Sequence, residues 1–169
     1  MSQEMKEIQI GKAVVNIGIG QVGEEVEKAK NLIEKITGRT AVKTESGENA
    51  KTFGNREGLK IGAMTTLRGE EAEEFLEKVM TAVEEIDASQ FDSDGNFGFG
   101  ISEYIDVSGV DYDADIGMMG FEVTVNLERP GYSVKRRDYK PSEVGDDHQV
   151  SREDAIEYVE TTFGVEVNE

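Results

Sequence analysis

GKAVVNIGIGQVGEEVEKAKNLIEKITGRTAVKT, residues 11–44, is the stretch on which the fold class turns. Residues 11–19 are short and β-branched, the composition of a strand. Over 22–36 the apolar residues Val26, Ala29, Leu32, Ile33 and Ile36 recur at helical spacing, and Thr37-Gly38 stops that helix. Residues 41–44 begin a second strand. The next segment, 45–55, is polar and glycine-containing, so it reads as a mobile loop, and 59–67 is a third strand. The rhythm is therefore not a clean strand–helix–strand repeat.

Working outward, 70–86 reads as a helix with Ala72, Phe75, Leu76, Val79, Met80 and Val83 inside and Glu71, Glu73, Glu74 and Glu77 outside. Residues 97–105 and 118–127 read as strands. In the second, Phe121, Val123 and Val125 alternate with Glu122, Thr124 and Asn126. An acidic excursion at 106–117 separates them. An irregular polar arm at 129–149 holds both prolines. Ser151 caps a last helix, with Asp154 as its capping-box partner and Ala155, Ile156, Val159 and Phe163 as its apolar face. The expected fold is α+β: an antiparallel-rich sheet with helices packed on one face and a long irregular basic arm before the C-terminal helix. A single domain over residues 1–169 is expected.

Positive charge is rationed. The net charge is −18, and residues 79–128 contain no Lys or Arg while carrying acids from Glu84 to Glu128. The cations fall partly into two islands. One runs from Lys35 to Arg68 through Arg39, Lys43, Lys51, Arg56 and Lys60; the other is Arg129 with Lys135, Arg136, Arg137 and Lys140. Clustered cations on an acidic background suit a protein that docks a polyanion and stays soluble in strong salt. In molar salt the Debye length falls to about 3 Å, which screens the self-repulsion of the acids.

Other chemistry is poorly supported. The absence of Cys excludes disulfides, thiolate zinc sites and cysteine nucleophiles. No apolar run approaches the roughly 18–20 residues that span a bilayer, and residues 1–7 have no signal-peptide core, so a cytoplasmic protein without a membrane partner is expected. Gly18-Ile-Gly20-Gln-Val-Gly23 matches a dinucleotide fingerprint in letters. Where a dinucleotide fold has a strand ending in an acid, this region offers Arg39, Lys43 and Thr44 and then a loop, and no second repeat follows. Asp92, Asp94, Asn96 and Glu103 match calcium-loop positions, but Phe97 stands where that loop needs glycine. His148 is the only histidine. No catalytic set, metal or cofactor is expected, and a dinucleotide-binding enzyme is a remote alternative.

The basic residues sit where phosphate recognition would use them. Lys43 and Thr44 end a strand, Lys51 and Arg56 bracket the following loop, Arg68 stands at a strand-to-helix corner, and Lys135-Arg136-Arg137 lies in the irregular arm. Cations, hydroxyls and amides on loops around a sheet are the groups that read phosphate and 2′-hydroxyl.

Taken in order, VVNIGIG at 14–20, ITGRTAVKT at 36–44, FGNREG at 53–58, TLRG at 66–69, AEEFL at 72–76, NFGFGI at 96–101, VTVNLERPGY at 123–132 and EDAIEY at 153–158 carry a family likeness. Over nearly its whole length the chain resembles the archaeal form of the universal 5S-rRNA-binding family of the large ribosomal subunit, ribosomal protein L-five. The resemblance implies a seat in the central protuberance. It implies contact with 5S rRNA, nearby large-subunit rRNA, the P-site tRNA, a neighbouring 5S-binding ribosomal protein and a small-subunit head protein across the intersubunit bridge. The RNA-binding residues it implies are Asn16, Arg39, Lys43, Thr44, Arg68, Arg129, Lys135, Arg136 and Arg137. Ser46, Asn49, Lys51 and Arg56 would form the tRNA-contact loop.

The chain departs from the family pattern at three places. Arg39 and Ala41 replace Gln and Pro. Glu45-Ser46-Gly47-Glu48 replaces a basic-Ala-basic run. Glu143, Asp146, Asp147 and Gln149 stand where the arm normally carries further cations. Each lost phosphate contact removes about one unit of counterion release. An extraribosomal relative acting as an acidic protein-interaction module is the alternative reading.

Overall fold

A computed structural model describes residues 3–168, apart from the side chains of Asn49 and Phe53. The order is β1 (Gln9–Gly18), α1 (Glu24–Thr37), β2 (Val42–Glu45), β3 (Lys60–Leu67), α2 (Glu70–Met80), β4 (Glu85–Asp87), β5 (Phe97–Ile101), β6 (Phe121–Glu128), α3 (Ser133–Arg136), α4 (Arg152–Phe163) and β7 (Glu166–Asn168). Five strands form a sheet in the order β2-β3-β1-β6-β5, and β4 and β7 form a separate parallel pair. The architecture is α+β, as the sequence predicts. Two compact units divide the chain. One comprises the chain up to Ala13, Arg68–Phe99 and the chain from Thr124; the other comprises Val14–Leu67 and Gly100–Val123.

In the second unit, α1 buries Val26, Ala29, Leu32 and Ile33 and lies against β3 and β2. Glu24, Glu25 and Glu27 occupy its first turn and Lys35 its last, the polarity the helix dipole favours. It ends where the sequence says, on a left-handed Gly38 whose N–H bonds to the Glu34 carbonyl 2.9 Å away. The acidic excursion is folded rather than loose. Tyr104 is fully buried, and its hydroxyl takes the Asp113 N–H at 2.8 Å. Lys35 on α1 reaches the Asp111 carbonyl at 3.1 Å and the Asp113 carboxylate at 3.3 Å.

In the first unit, α2 buries Ala72, Phe75, Leu76, Val79 and Met80. The rings of Phe91, Phe97 and Phe99 stack in sequence. The capping box at the start of α4 forms as expected: the Ser151 hydroxyl takes the Asp154 N–H, and the Asp154 carboxylate takes the Ser151 N–H, both at 3.2 Å.

Four boundaries differ from expectation. The helix predicted over 70–86 stops at Met80, where the Thr81 hydroxyl bonds back to the Lys78 carbonyl at 2.6 Å. Continuing it would bring Glu84 and Glu85 to the negative end of the dipole. Ile86, 1% exposed, instead packs in β4, paired with β7. The strand predicted over 97–105 ends at Ile101, and Tyr104–Asp106 turns as a 3-10 helix. The loop 45–55 contains a 3-10 helix, Glu48–Phe53, closed by a left-handed Gly54. The arm at 129–149 is also folded. It holds α3 and a 3-10 turn at Asp146–His148, and the Tyr132 hydroxyl takes the Val150 N–H at 2.9 Å.

Candidate nucleic-acid interface

In the second unit the sheet has two unlike faces. Val15, Ile17, Ala63, Thr65 and Leu67 are buried on the side that carries α1. On the other side of the same strands lie Val14, Asn16, Val42, Thr44, Met64 and Thr66, all half-buried except the exposed Val42. None of these six is charged, in a chain with twice as many acids as bases; Glu122 is exposed on the neighbouring strand β6. Amides, hydroxyls and short apolar groups on an open sheet can meet ribose and base edges without repelling phosphate. Asn16 and Thr44 both belong to this face.

Lys43 does not. It stands opposite Ala63 in the β2–β3 register, so it points to the α1 side, where it pairs with Glu27. The Lys43 ammonium, followed by Lys30, holds the Glu27 carboxyl below the usual carboxylate range. Lys60 pairs with Glu45, and Lys35 with Asp113. Asp113 is lowered chiefly by the Asp115 backbone N–H and then by Lys35. Much of the first island is thus neutralised from within. Arg39 is exposed just after α1, and its N–H bonds to the Thr37 hydroxyl at 3.2 Å. Arg68 is exposed before Gly69 and makes no side-chain bond among the described residues.

The predicted tRNA-contact loop is also divided. Ser46, expected at the contact, is 4% exposed: its hydroxyl donates to the Arg56 carbonyl and accepts the Leu59 N–H at 3.2 Å. It closes the base of the loop. The side chain of Asn49 lies outside the described residues. Lys51 and Arg56 are exposed, with no side-chain ion pair among the described residues. Glu45 faces Lys60, and Glu48 is exposed.

In the first unit the second island sorts into two kinds of cation. Arg129, expected on RNA, is turned inward. At 15% side-chain exposure it donates to the Asp154 carboxylate at 3.0 Å and the Gln149 carbonyl at 3.1 Å. It ties the end of β6 to the start of α4. Lys135 is exposed without a partner among the described residues. Arg136 meets both oxygens of Glu128, at 3.0 and 3.1 Å, and Arg137 donates to the Lys140 carbonyl at 2.8 Å; both remain exposed. His148 contacts the Pro130 carbonyl through Nε2 at 2.7 Å and sets the entry of the arm.

The other motifs resolve as backbone devices. At Gly18–Gly23 the N–H groups of Ile19 and Gly20 both bond to the Ile61 carbonyl, at 2.9 and 3.0 Å, so they cannot cradle a phosphate. The following strand β2 pairs antiparallel with β3, unlike a dinucleotide fold. Gly20 has φ +81°, and a Cβ there would touch nothing within 4 Å. Gly20→Ala should therefore cost about 1–2 kcal/mol from backbone conformation alone. A thermal melt checks the cost, and calorimetry with NAD should give no heat. At the calcium-like motif Asp92 is spent on its own turn, taking the N–H groups of Asp94 and Asn96 and the Asn96 amide at 2.8–2.9 Å.

Comparison with known proteins fits this distribution of groups. Residues 3–56 match the family model described as "Ribosomal protein L5". Residues 60–158 match the model that describes the C-terminus of the same ribosomal family. The chain belongs to the ribosomal protein L5 family. Relatives named "Large ribosomal subunit protein uL5" align end to end. That of Nanoarchaeum equitans is 43% identical, covering 99% of both chains. That of Methanococcus vannielii is 42% identical, over 98% of this chain and 93% of its own. That of Sulfurisphaera tokodaii is 42% identical, over 98% and 94%. The chain is accordingly a protein of the large ribosomal subunit, acting in translation. Its relatives are ribosomal proteins rather than enzymes, which sets aside the dinucleotide reading. No helix among the described residues is long and apolar enough to cross a membrane.

Proposed function

We propose that this protein binds 5S rRNA in the central protuberance, with large-subunit rRNA, the P-site tRNA, a neighbouring 5S-binding protein and a small-subunit head protein as further contacts. The observation that carries the reading is the open side of β1, β2 and β3, where Val14, Asn16, Val42, Thr44, Met64 and Thr66 are all uncharged. Arg68, Lys51 and Arg56 are exposed on the loops. Lys135, Arg136 and Arg137 are exposed on the arm. The face reads sugar and base, and the cations supply the salt-dependent phosphate energy.

Filter binding tests it. Specific, salt-tolerant retention of 5S rRNA is the expected result. Equal affinity for an unrelated structured RNA removes the specificity, and no binding at any salt favours the protein-interaction module. Within the same assay, replacing Lys135, Arg136 and Arg137 together by Ala should flatten the dependence of log K on log salt by about 2–3 units. The slope is read where the variant is still folded: losing Lys135 and Arg137, both exposed, should cost little, whereas losing Arg136 leaves Glu128, whose side chain is 12% exposed, without its cation and should lower the melting temperature. An unchanged slope would mean that the run is only solvated.

A further inference from the structure

The first unit contains a groove of about 630 Å³, a size typical of small-ligand sites. Its walls bring together Lys12 from β1, Asn96 before β5, Asn126 from β6, and Tyr132, Lys135 and Arg136 around α3. Resting on the RNA-binding reading above, we propose that this groove is a site for a single unpaired RNA nucleotide.

Each wall supplies a part of that recognition. Lys12 and Lys135 are exposed with no side-chain partner among the described residues, and Arg136 is held in place by Glu128 through Nη2. The two lysines suit one phosphate, with the Arg136–Glu128 pair beside them. The Tyr132 ring is fixed, because its hydroxyl accepts the Val150 N–H at 2.9 Å, and a fixed aromatic wall is a stacking platform for a splayed base. Asn126 donates to Asn96 Oδ1 at 2.5 Å, and Asn96 donates in turn to Asp92 at 2.8 Å. That chain orients the Asn126 amide and leaves its Oδ1 as an acceptor. Gly11 makes room for this arrangement, since a Cβ there would lie 2.7 Å from Asn126 Oδ1 and 2.8 Å from Glu128. Asp94, Glu128 and Glu143 are the acids of the lining. They add acceptors and would repel further phosphates, so the groove favours one anionic group and a base edge rich in N–H donors. A paired helix cannot present a base to such a recess; an extruded nucleotide can.

The test is titration of the full chain with adenosine, guanosine, cytidine and uridine 5′-monophosphates and with inorganic phosphate, followed by the side-chain amide signals of Asn96 and Asn126 in ¹H–¹⁵N spectra. The three bases with exocyclic amino groups should move these signals, uridine less, and phosphate alone should not. Lys12→Ala should weaken binding about three- to fivefold, the range of one exposed charge contact, and Lys12→Arg should restore it. Silent amides with all four nucleotides, or equal shifts with phosphate alone, overturn the proposal. Running 5S rRNA binding beside it separates the two claims. Retained 5S rRNA with a silent groove sinks this site and leaves the wider function standing. A responsive groove without 5S rRNA binding upholds the site and sinks the wider function.

Discussion

Gly62→Ala is expected to lower stability by about 3 kcal/mol, the upper range of overpacking in a filled interior, and in a chain of this size to lower the melting temperature by roughly 6–12 °C. Gly62 lies in β3, opposite Thr44 in the β2–β3 register. A Cβ on it would lie 2.6 Å from the Ile17 carbonyl oxygen and 2.7 Å from the Thr44 hydroxyl. The first obstacle is backbone of the neighbouring strand, and the nearby Ile61 carbonyl already accepts two N–H groups from Ile19 and Gly20. β1 cannot retreat without breaking those bonds. The control is Gly18→Ala, at the end of β1, where a Cβ meets nothing within 4 Å and φ is not positive; it should melt nearly as the parent does. If Gly62→Ala also melts like the parent, the close approach described at the open face is wrong. The prediction reaches function as well, because moving β1 away from β3 would displace Asn16 from Thr44.

The elements that could be read in the sequence are those whose cause is local. α1 is announced by its apolar spacing and Gly38, α4 by Ser151 and Asp154, and β6 by strict alternation. The pair β4 and β7 was hidden, since three residues carry no period and Ile86 finds its partner Val167 far along the chain. The end of α2 was hidden in part for the same reason: Val83 and Ile86 continue a helical spacing, while in the structure Ile86 pairs with Val167 of β7. The interface was half legible. Composition located the cations but not their partners. Whether Lys43 faces RNA or Glu27 depends on which side of β2 carries a helix. Ser46 looks like a loop hydroxyl until its bonds to residues 56 and 59 are seen. Lys12 and Asn126 gave no signal as binding residues, because their juxtaposition is made by strand pairing.

Arg129 is where the sequence reading and the structure diverge most in consequence. By sequence it heads the second basic island and belongs with Lys135, Arg136 and Arg137. By structure it is an internal tie, and Arg129→Ala should destabilise the fold by about 2–3 kcal/mol. That figure lies below the 3–5 kcal/mol of a fully buried pair because Asp154 retains 38% side-chain exposure. The loss has three parts. The Asp154 carboxylate keeps the Ser151 N–H but loses its cation. The Gln149 carbonyl loses a donor. The aliphatic stem leaves a gap beside the start of α4. Arg129→Lys should recover only part of this, since an ammonium cannot reach both acceptors with the geometry of a guanidinium. The discriminating measurement is RNA binding at a temperature where the variant is still folded. A positioning cation should leave the salt slope of 5S rRNA binding unchanged. A phosphate-contacting cation should reduce it by about one unit. Stability loss with an unchanged slope assigns Arg129 to the fold. A lowered slope with normal melting would return it to the interface and show that the pair with Asp154 opens when RNA arrives.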